Sequence, residues 1–129
     1  MNFSGRVIII AAEKNFENRV KQFLKEQNCW VLKTWGGGLQ RSGIPDLLIS
    51  CNGRFVGVEV KATNGEPSKL QIWNLLKIDD SGGFGWLLYP KQFDAFKDFI
   101  IELNRNNMLG AYEIYKDEKG WTEDEALRD

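Results

Sequence analysis

Asp46, Glu59 and Lys61 are the residues of this sequence whose types and spacing suit catalysis. They stand at the ends of the stretch 43–61, two short apolar runs joined at Asn52-Gly53. An Asn-Gly pair between apolar runs is a strong hairpin signal, because both residues tolerate positive φ. Asp46 opens the first strand of that hairpin, and Glu59 and Lys61 close the second. Strand side chains alternate with period two, so Glu59 and Lys61 share one face while Val56, Val58 and Val60 take the other. Two carboxylates and an ammonium at one sheet edge are costly to bury unless they are paired or bound to a metal. A cation such as Mg²⁺ commonly takes one or two carboxylates plus waters and substrate phosphate oxygens. Asp46 and Glu59 can supply those carboxylates, and Lys61 can deprotonate or orient a water or hold a phosphate oxygen. A metal held there would lower the pKa of an attacking water, neutralise developing charge on a phosphodiester and fix in-line geometry. The chain has no histidine. Any general base is therefore a carboxylate, a lysine, a tyrosine or a metal-activated water.

These residues need elements to position them. From Asn15 to Gln27 the apolar residues Phe16, Val20, Phe23 and Leu24 recur at helical spacing, and Glu17 borders their stripe, where it can add a ligand directly or through water. The preceding Val7-Ile8-Ile9-Ile10 suits either a short strand or the first turns of a long helix. Trp30 to Trp35 reads as a strand, and Gly36 to Ile44 as a glycine-rich loop holding Gln40, Arg41 and Ser42. The hairpin spans about Asp46 to Lys61. Ser68 is set to cap a helix over about Lys69–Asp79, with Leu70, Trp73 and Lys77 along one side and Ile72, Leu75, Leu76 and Ile78 broadening its apolar face. Phe84 to Tyr89 reads as a strand. Pro90 can open a final helix carrying Phe93, Phe96, Phe99, Ile100 and Leu103, with Gly110 ending that region. Tyr112 to Tyr115 alternates like an edge strand, and Thr122 with Glu125 has capping-box spacing. The order helix, three strands, helix, strand, helix is that of an α/β sandwich on a mixed sheet.

A chain of 129 residues makes one domain, with its core at about 13–104 and an acidic tail at about 117–129. That tail holds six acids and two bases, so residues 1–116 carry a net charge of +3 against −1 for the whole chain. Between Lys14 and Lys77 there are ten bases and five acids, and the surface becomes distinctly basic if three of those acids bind a cation. The tail is expected to be solvated, or to compete with DNA for that basic face. Cys29 and Cys51 lack metal-type spacing and read as reduced packing residues of a cytosolic protein. No apolar run is long enough to span a membrane, and Val7–Ala12 is too short for a signal peptide.

Ile44-Pro45-Asp46, a gap of twelve residues and Glu59-Val60-Lys61 resemble the PD-(D/E)XK nuclease signature. Glu17 with Val20 and Leu24, Lys33 before a glycine-rich loop, Ser42-Gly43-Ile44-Pro45-Asp46 and Pro67-Ser68-Lys69-Leu70-Gln71 extend the resemblance to the virus-type replication–repair nuclease branch (VRR-NUC). It covers about residues 13–90 and looks like a stand-alone phage form. The resemblance implies a restriction-endonuclease-like αβββαβ core, with a mixed central sheet flanked by helices. It implies Mg²⁺- or Mn²⁺-dependent phosphodiester hydrolysis, with metal-site acids Glu17, Asp46 and Glu59, a main-chain ligand at Val60, a catalytic lysine at Lys61 and a helix glutamine at Gln71. It also implies a homodimer that resolves four-way DNA junctions, since two symmetric cuts call for two sites related by a two-fold axis. The expected location is the cytoplasm, the host's for a phage protein.

Alternatives stay open at this level. Asp46 can cap a turn, with Glu59 and Lys61 a solvent-facing pair worth roughly 0–1 kcal/mol. Glu17 can be an exposed helix acid near Lys21, and Gln71 an ordinary helix polar residue. Lys33, Arg41 and the Gly36–Gly38 loop suit phosphate binding and a plain connection equally. Ser42 and Lys69 complete the expected DNA-binding set. Trp30, Trp35, Trp73 and Trp86 read as core or interface, and Val7–Ile10 and the aromatic helix as candidate dimer surfaces. Two other functions remain beside junction resolution: a flap, nicking or single-strand nuclease, and a non-catalytic DNA-binding module.

Overall fold

The computed structural model describes residues 3–35 and 43–127. Helix α1 (Phe3–Glu26) leads into strand β1 (Trp30–Lys33), then β2 (Leu47–Cys51) and β3 (Arg54–Val60). Helix α2 (Lys69–Asp80) and strand β4 (Phe84–Leu88) follow. A 3₁₀ turn (Pro90–Gln92) opens α3 (Phe93–Asn104), and α4 (Met108–Glu118) and α5 (Glu123–Leu127) complete the chain. The sheet runs β1-β2-β3-β4, with antiparallel pairs up to β3 and β3 parallel to β4. The fold is α/β, an αβββαβ order on a four-stranded mixed sheet flanked by helices.

The β2–β3 turn forms as its residues require. Asn52 and Gly53 take φ of +50° and +80°, and Leu47 stands opposite Val58. Val56, Val58 and Val60 face one side of the sheet with Leu47 and Ile49. There they pack with Phe16, Val20 and Leu24 of α1 and with the phenylalanines of α3. The other face receives α2, where Gly57 and Gly85 let the helix approach closely. A Cβ at Gly57 would come 2.7 Å from Ile78 Cδ1, and one at Gly85 2.6 Å from the Leu75 carbonyl oxygen.

Val7–Ile10 belongs to the first turns of α1, which settles the strand-or-helix alternative. The expected face of α2 is corrected: Ile72, Asn74, Leu75 and Leu76 are its buried residues, while Leu70 and Trp73 lie on the exposed side. Helical spacing alone did not say which stripe meets the sheet. The expected edge strand at Tyr112–Tyr115 is helix α4, so the helix that Pro90 opens through its 3₁₀ turn is followed by two more and is not the final one. The alternation there is overridden because Ala111 and Tyr115, four residues apart, both bury against the core. Gly110 lies inside α4, where its N–H donates to the Asn107 cap at 3.1 Å.

The acidic segment is not simply solvated. Trp121 is 3% exposed and packs with Ala126, Leu87 and the α2 core residues. Residues 115–121 also cover the outer edge of β4. Gly85 N–H donates to Tyr115 Oη at 3.0 Å, Trp121 Nε1 donates to the Gly85 carbonyl at 2.7 Å, and Leu87 N–H donates to the Lys119 carbonyl at 2.8 Å. A bare strand edge invites pairing with other chains, and this segment stands where a fifth strand would otherwise pair. No helix among the described residues is long and apolar enough to cross a membrane.

Candidate active site

The charged residues gather at one end of the sheet, where β1 and β3 finish and β2 begins. The register that sets Leu47 against Val58 sets Asp46 against Glu59. Asp46 is fixed by its own hairpin: the Val60 N–H donates to its Oδ2 at 2.9 Å. Glu59 is 2% exposed. Its Oε2 accepts from Gln71 Nε2 at 2.9 Å and lies 3.5 Å from Lys61 Nζ. Its Oε1 is buried with no hydrogen-bond partner among the described residues. Burial first, and the Asp46 charge second, push the Glu59 carboxyl up to about 8 against the pull of Lys61. A buried carboxylate oxygen left without a donor is a costly arrangement that a cation would relieve.

Gln71 reaches Glu59 because α2 starts with a capping box. The Gln71 N–H donates to Ser68 Oγ at 3.1 Å, and Gln71 Oε1 accepts the Ser68 N–H at 2.8 Å. The carboxamide is thereby held at its oxygen while its nitrogen is aimed at Glu59. The Ser-Lys-Leu-Gln spacing carried this signal in the sequence, beyond the single cap read at Ser68.

Helix α1 supplies the far wall. Glu17 is buried, with Lys33 Nζ donating to its Oε1 at 2.7 Å and Lys21 Nζ at 3.7 Å from Oε2, so it is not the exposed helix acid of the plainer alternative. Lys33 also stands 3.7 Å from Asp46 Oδ1, which bridges the helix acid to the hairpin acid. Burial pulls the Lys33 ammonium down, but the bond to Glu17 and the charges of Asp46, Glu17 and Glu59 outweigh it and raise its pKa. The structure therefore places Lys33 inside the carboxylate cluster.

Glu13 is the site residue that sequence reasoning missed. It lies one helical turn before Glu17 and near Lys61 and Asp46. Burial, Asp46 and Glu17 raise its pKa, against lowering by Lys61 and a hydrogen bond from the Ala62 backbone. The available signal was its i, i+4 relation to Glu17, which puts both acids on one helix face. Glu13 and Glu17 line a groove of about 380 Å³ with Ile10, Lys14, Lys21, Lys33, Trp35 and Asp46.

The resemblance implied three acids plus a main-chain oxygen as the metal ligands. Among the described residues no group of three or more Asp, Glu, Cys or His side chains is placed to hold a metal by itself. Glu17 accepts from Lys33, and the Val60 N–H donates to Asp46. Asp46 and Glu59 make a two-carboxylate set that suits Mg²⁺ or Mn²⁺ completed by water and phosphate oxygens. Lys69 is exposed at the start of α2. Arg41, Ser42 and the Gly36–Gly38 loop lie outside the described residues. Comparison with protein-family models, with curated proteins and with solved structures found no match.

Proposed function

We propose that this chain is a metal-dependent endonuclease acting on branched DNA, with four-way junctions as substrate, and that it works as a homodimer. The observation that carries this reading is the buried Glu59, opposite Asp46 and 3.5 Å from Lys61, with one carboxylate oxygen unpartnered. Bound Mg²⁺ or Mn²⁺ would supply Lewis-acid activation of water and charge neutralisation on the phosphodiester. Asp46 and Glu59 hold the cation. Gln71 keeps Glu59 from rotating away, and the Val60 amide does the same for Asp46. Lys61 orients the attacking water and takes up its proton, or steadies a phosphate oxygen. Glu13 sits beside Lys61, while Glu17 holds Lys33 against Asp46.

A homodimer is supported by apolar surface that no other part of the described chain covers. Val7, Ile8 and Ile10 of α1 are exposed, as are Trp30 and Leu32 of β1 and Leu70 and Trp73 of α2. The aromatic face of α3 offers no such surface, since Phe93, Phe96 and Phe99 are in the core. One observation favours a flap or single-strand nuclease on the same site: Trp35, 76% exposed, shares the site groove with Lys14 and Lys21. Exposed aromatics beside basic residues suit the stacking of unpaired bases.

The test is cleavage of labelled four-way junctions, flaps, duplexes and single strands with Mg²⁺, Mn²⁺ or chelator. Symmetric metal-dependent nicks in the junction are expected, and Asp46→Ala should abolish them. Preference for flaps or single strands would replace junction resolution by the second reading. Metal-independent cleavage, or robust cleavage by Asp46→Ala, would overturn the site. DNA binding with no turnover on any substrate would make the chain a non-catalytic binding module.

A further inference from the structure

The antiparallel pairing of β1 with β2 brings the chain's two cysteines together, away from the carboxylate site. Its register runs from Lys33 opposite Leu47 to Trp30 opposite Ser50, and one further step sets Cys29 opposite Cys51. The hydrogen bonds identify the kind of pair. The Thr34 N–H donates to the Asp46 carbonyl at 2.9 Å, so Asp46, Leu48 and Ser50 turn their backbone groups to β1, and Cys51 turns its own to β3. Continued by that one step, the register makes Cys29 and Cys51 a non-hydrogen-bonded pair, the kind in which Cα atoms are about 4.5 Å apart and the side chains are close. A disulfide spans about 4.4–6.8 Å between Cα atoms. Both cysteines are free thiols. Cys29 is half-buried, while Cys51 is fully buried and donates to Asn104 Oδ1 at 3.2 Å. Access makes Cys29 the reactive member, since it is the cysteine that solvent reaches.

We propose that Cys29 and Cys51 form a redox-reactive dithiol, which a peroxide closes to an intramolecular disulfide. The Cys29 thiolate attacks hydrogen peroxide, forming an S–O bond as the O–O bond breaks. The departing hydroxide takes a proton and leaves as water, and the sulfur, oxidised by two electrons, becomes a sulfenic acid. The Cys51 thiol then attacks that sulfur. An S–S bond forms, the S–O bond breaks, and the second water leaves with the Cys51 proton. Two thiols and one peroxide thus give one disulfide and two waters. The bridge would close at the corner where α1 ends, with Asn28 at φ +61° and the Cys29 N–H on the Leu24 carbonyl at 3.0 Å. It would pin that corner, between the helix bearing Glu13 and Glu17 and the strand bearing Lys33, to β2. No residue of the nuclease site takes part, so this inference stands apart from the proposed activity.

The experiment treats the reduced full chain with one equivalent of hydrogen peroxide under native conditions. Remaining thiols are labelled with maleimide in denaturant, and intact and peptide masses are read. The expected result is a monomer lacking two hydrogens with no maleimide label. It should yield one cross-linked peptide pair holding Cys29 and Cys51, and dithiothreitol should restore both labels. In Cys29→Ser, a change at a half-buried position, Cys51 should keep its label after the same treatment. Retention of both thiols in the unaltered chain would overturn the proposal. So would sulfinic or sulfonic adducts as the main product, a disulfide between two chains, or loss of the Cys51 label in Cys29→Ser.

Discussion

Glu59 is the residue on which the proposed chemistry turns, because it is a buried carboxyl with too few partners. Its folded-state pKa is raised from 4.5 to about 8, by burial and then by Asp46. The sign follows from the raised value: the folded state favours the proton. Glu59 contributes stability fully below its unfolded value of 4.5, and that contribution is lost as pH rises through about 8. The metal-free chain should therefore lose melting temperature across that window, and Glu59→Gln should flatten the loss, as a thermal-shift series in chelator would record. A divalent cation must displace the same proton, so its affinity should climb over the same window with proton release, measurable by calorimetry in buffers of different ionisation enthalpy. At the same scale, Lys61→Met should lower junction cleavage about 10²–10⁴-fold, the usual contribution of a positioned proton-transfer group. Glu13→Gln should lower it about 10–100-fold, as loss of an outer partner of a metal site does. Unchanged circular dichroism would assign both losses to the site.

At the scale of elements, the site depends on how α2 starts and how closely it lies on the sheet. Ser68→Ala removes one half of the capping box and should cost about 0.5–2 kcal/mol. Because Gln71 Oε1 is held by the Ser68 N–H while its Nε2 holds Glu59, a weakened cap should also slow cleavage. A chemical-denaturation curve beside an initial-rate assay separates the two effects. Gly85→Ala tests the packing beneath. Its methyl would meet the Leu75 backbone at 2.6 Å, so α2 must move or β4 must bend, and such overpacking costs about 1–3 kcal/mol. Gly53→Ala meets no atom within 4 Å, but its φ of +80° strains any other residue. Its cost should be strain without loss of cleavage.

For the whole molecule, the C-terminal segment closes the sheet edge. Trp121→Ala should cost about 3–5 kcal/mol, as large-to-small core changes do, and expose the Gly85 carbonyl. Removing residues 117–129 should lower the melting temperature and promote association through the uncovered edge of β4. Light scattering would detect that association. Tighter DNA binding by that truncated chain, with no loss of stability, would instead favour the competition expected from its charge. Light scattering on the intact chain tests the homodimer in the same way.

The sequence alone determined those parts of the protein whose causes are local. The hairpin needed only Asn52-Gly53 and period-two alternation, which set Asp46 opposite Glu59 and made Glu59 and Lys61 neighbours on one face. The α1 stripe of Phe16, Val20 and Leu24 followed from helical period in the same way. Tertiary structure decided what depends on contacts between distant segments. The register of β1 on β2 brought Lys33 to Glu17 and Asp46. The docking of α1 beside Lys61 made Glu13 a site residue, where the sequence offered only its i, i+4 spacing from Glu17. Tyr112–Tyr115 shows the same limit from the other side: its alternation was real, but burial of Ala111 and Tyr115 on one helical face outweighed it. Local sequence sets the period of a segment, whereas the surface against which it is buried decides which period wins.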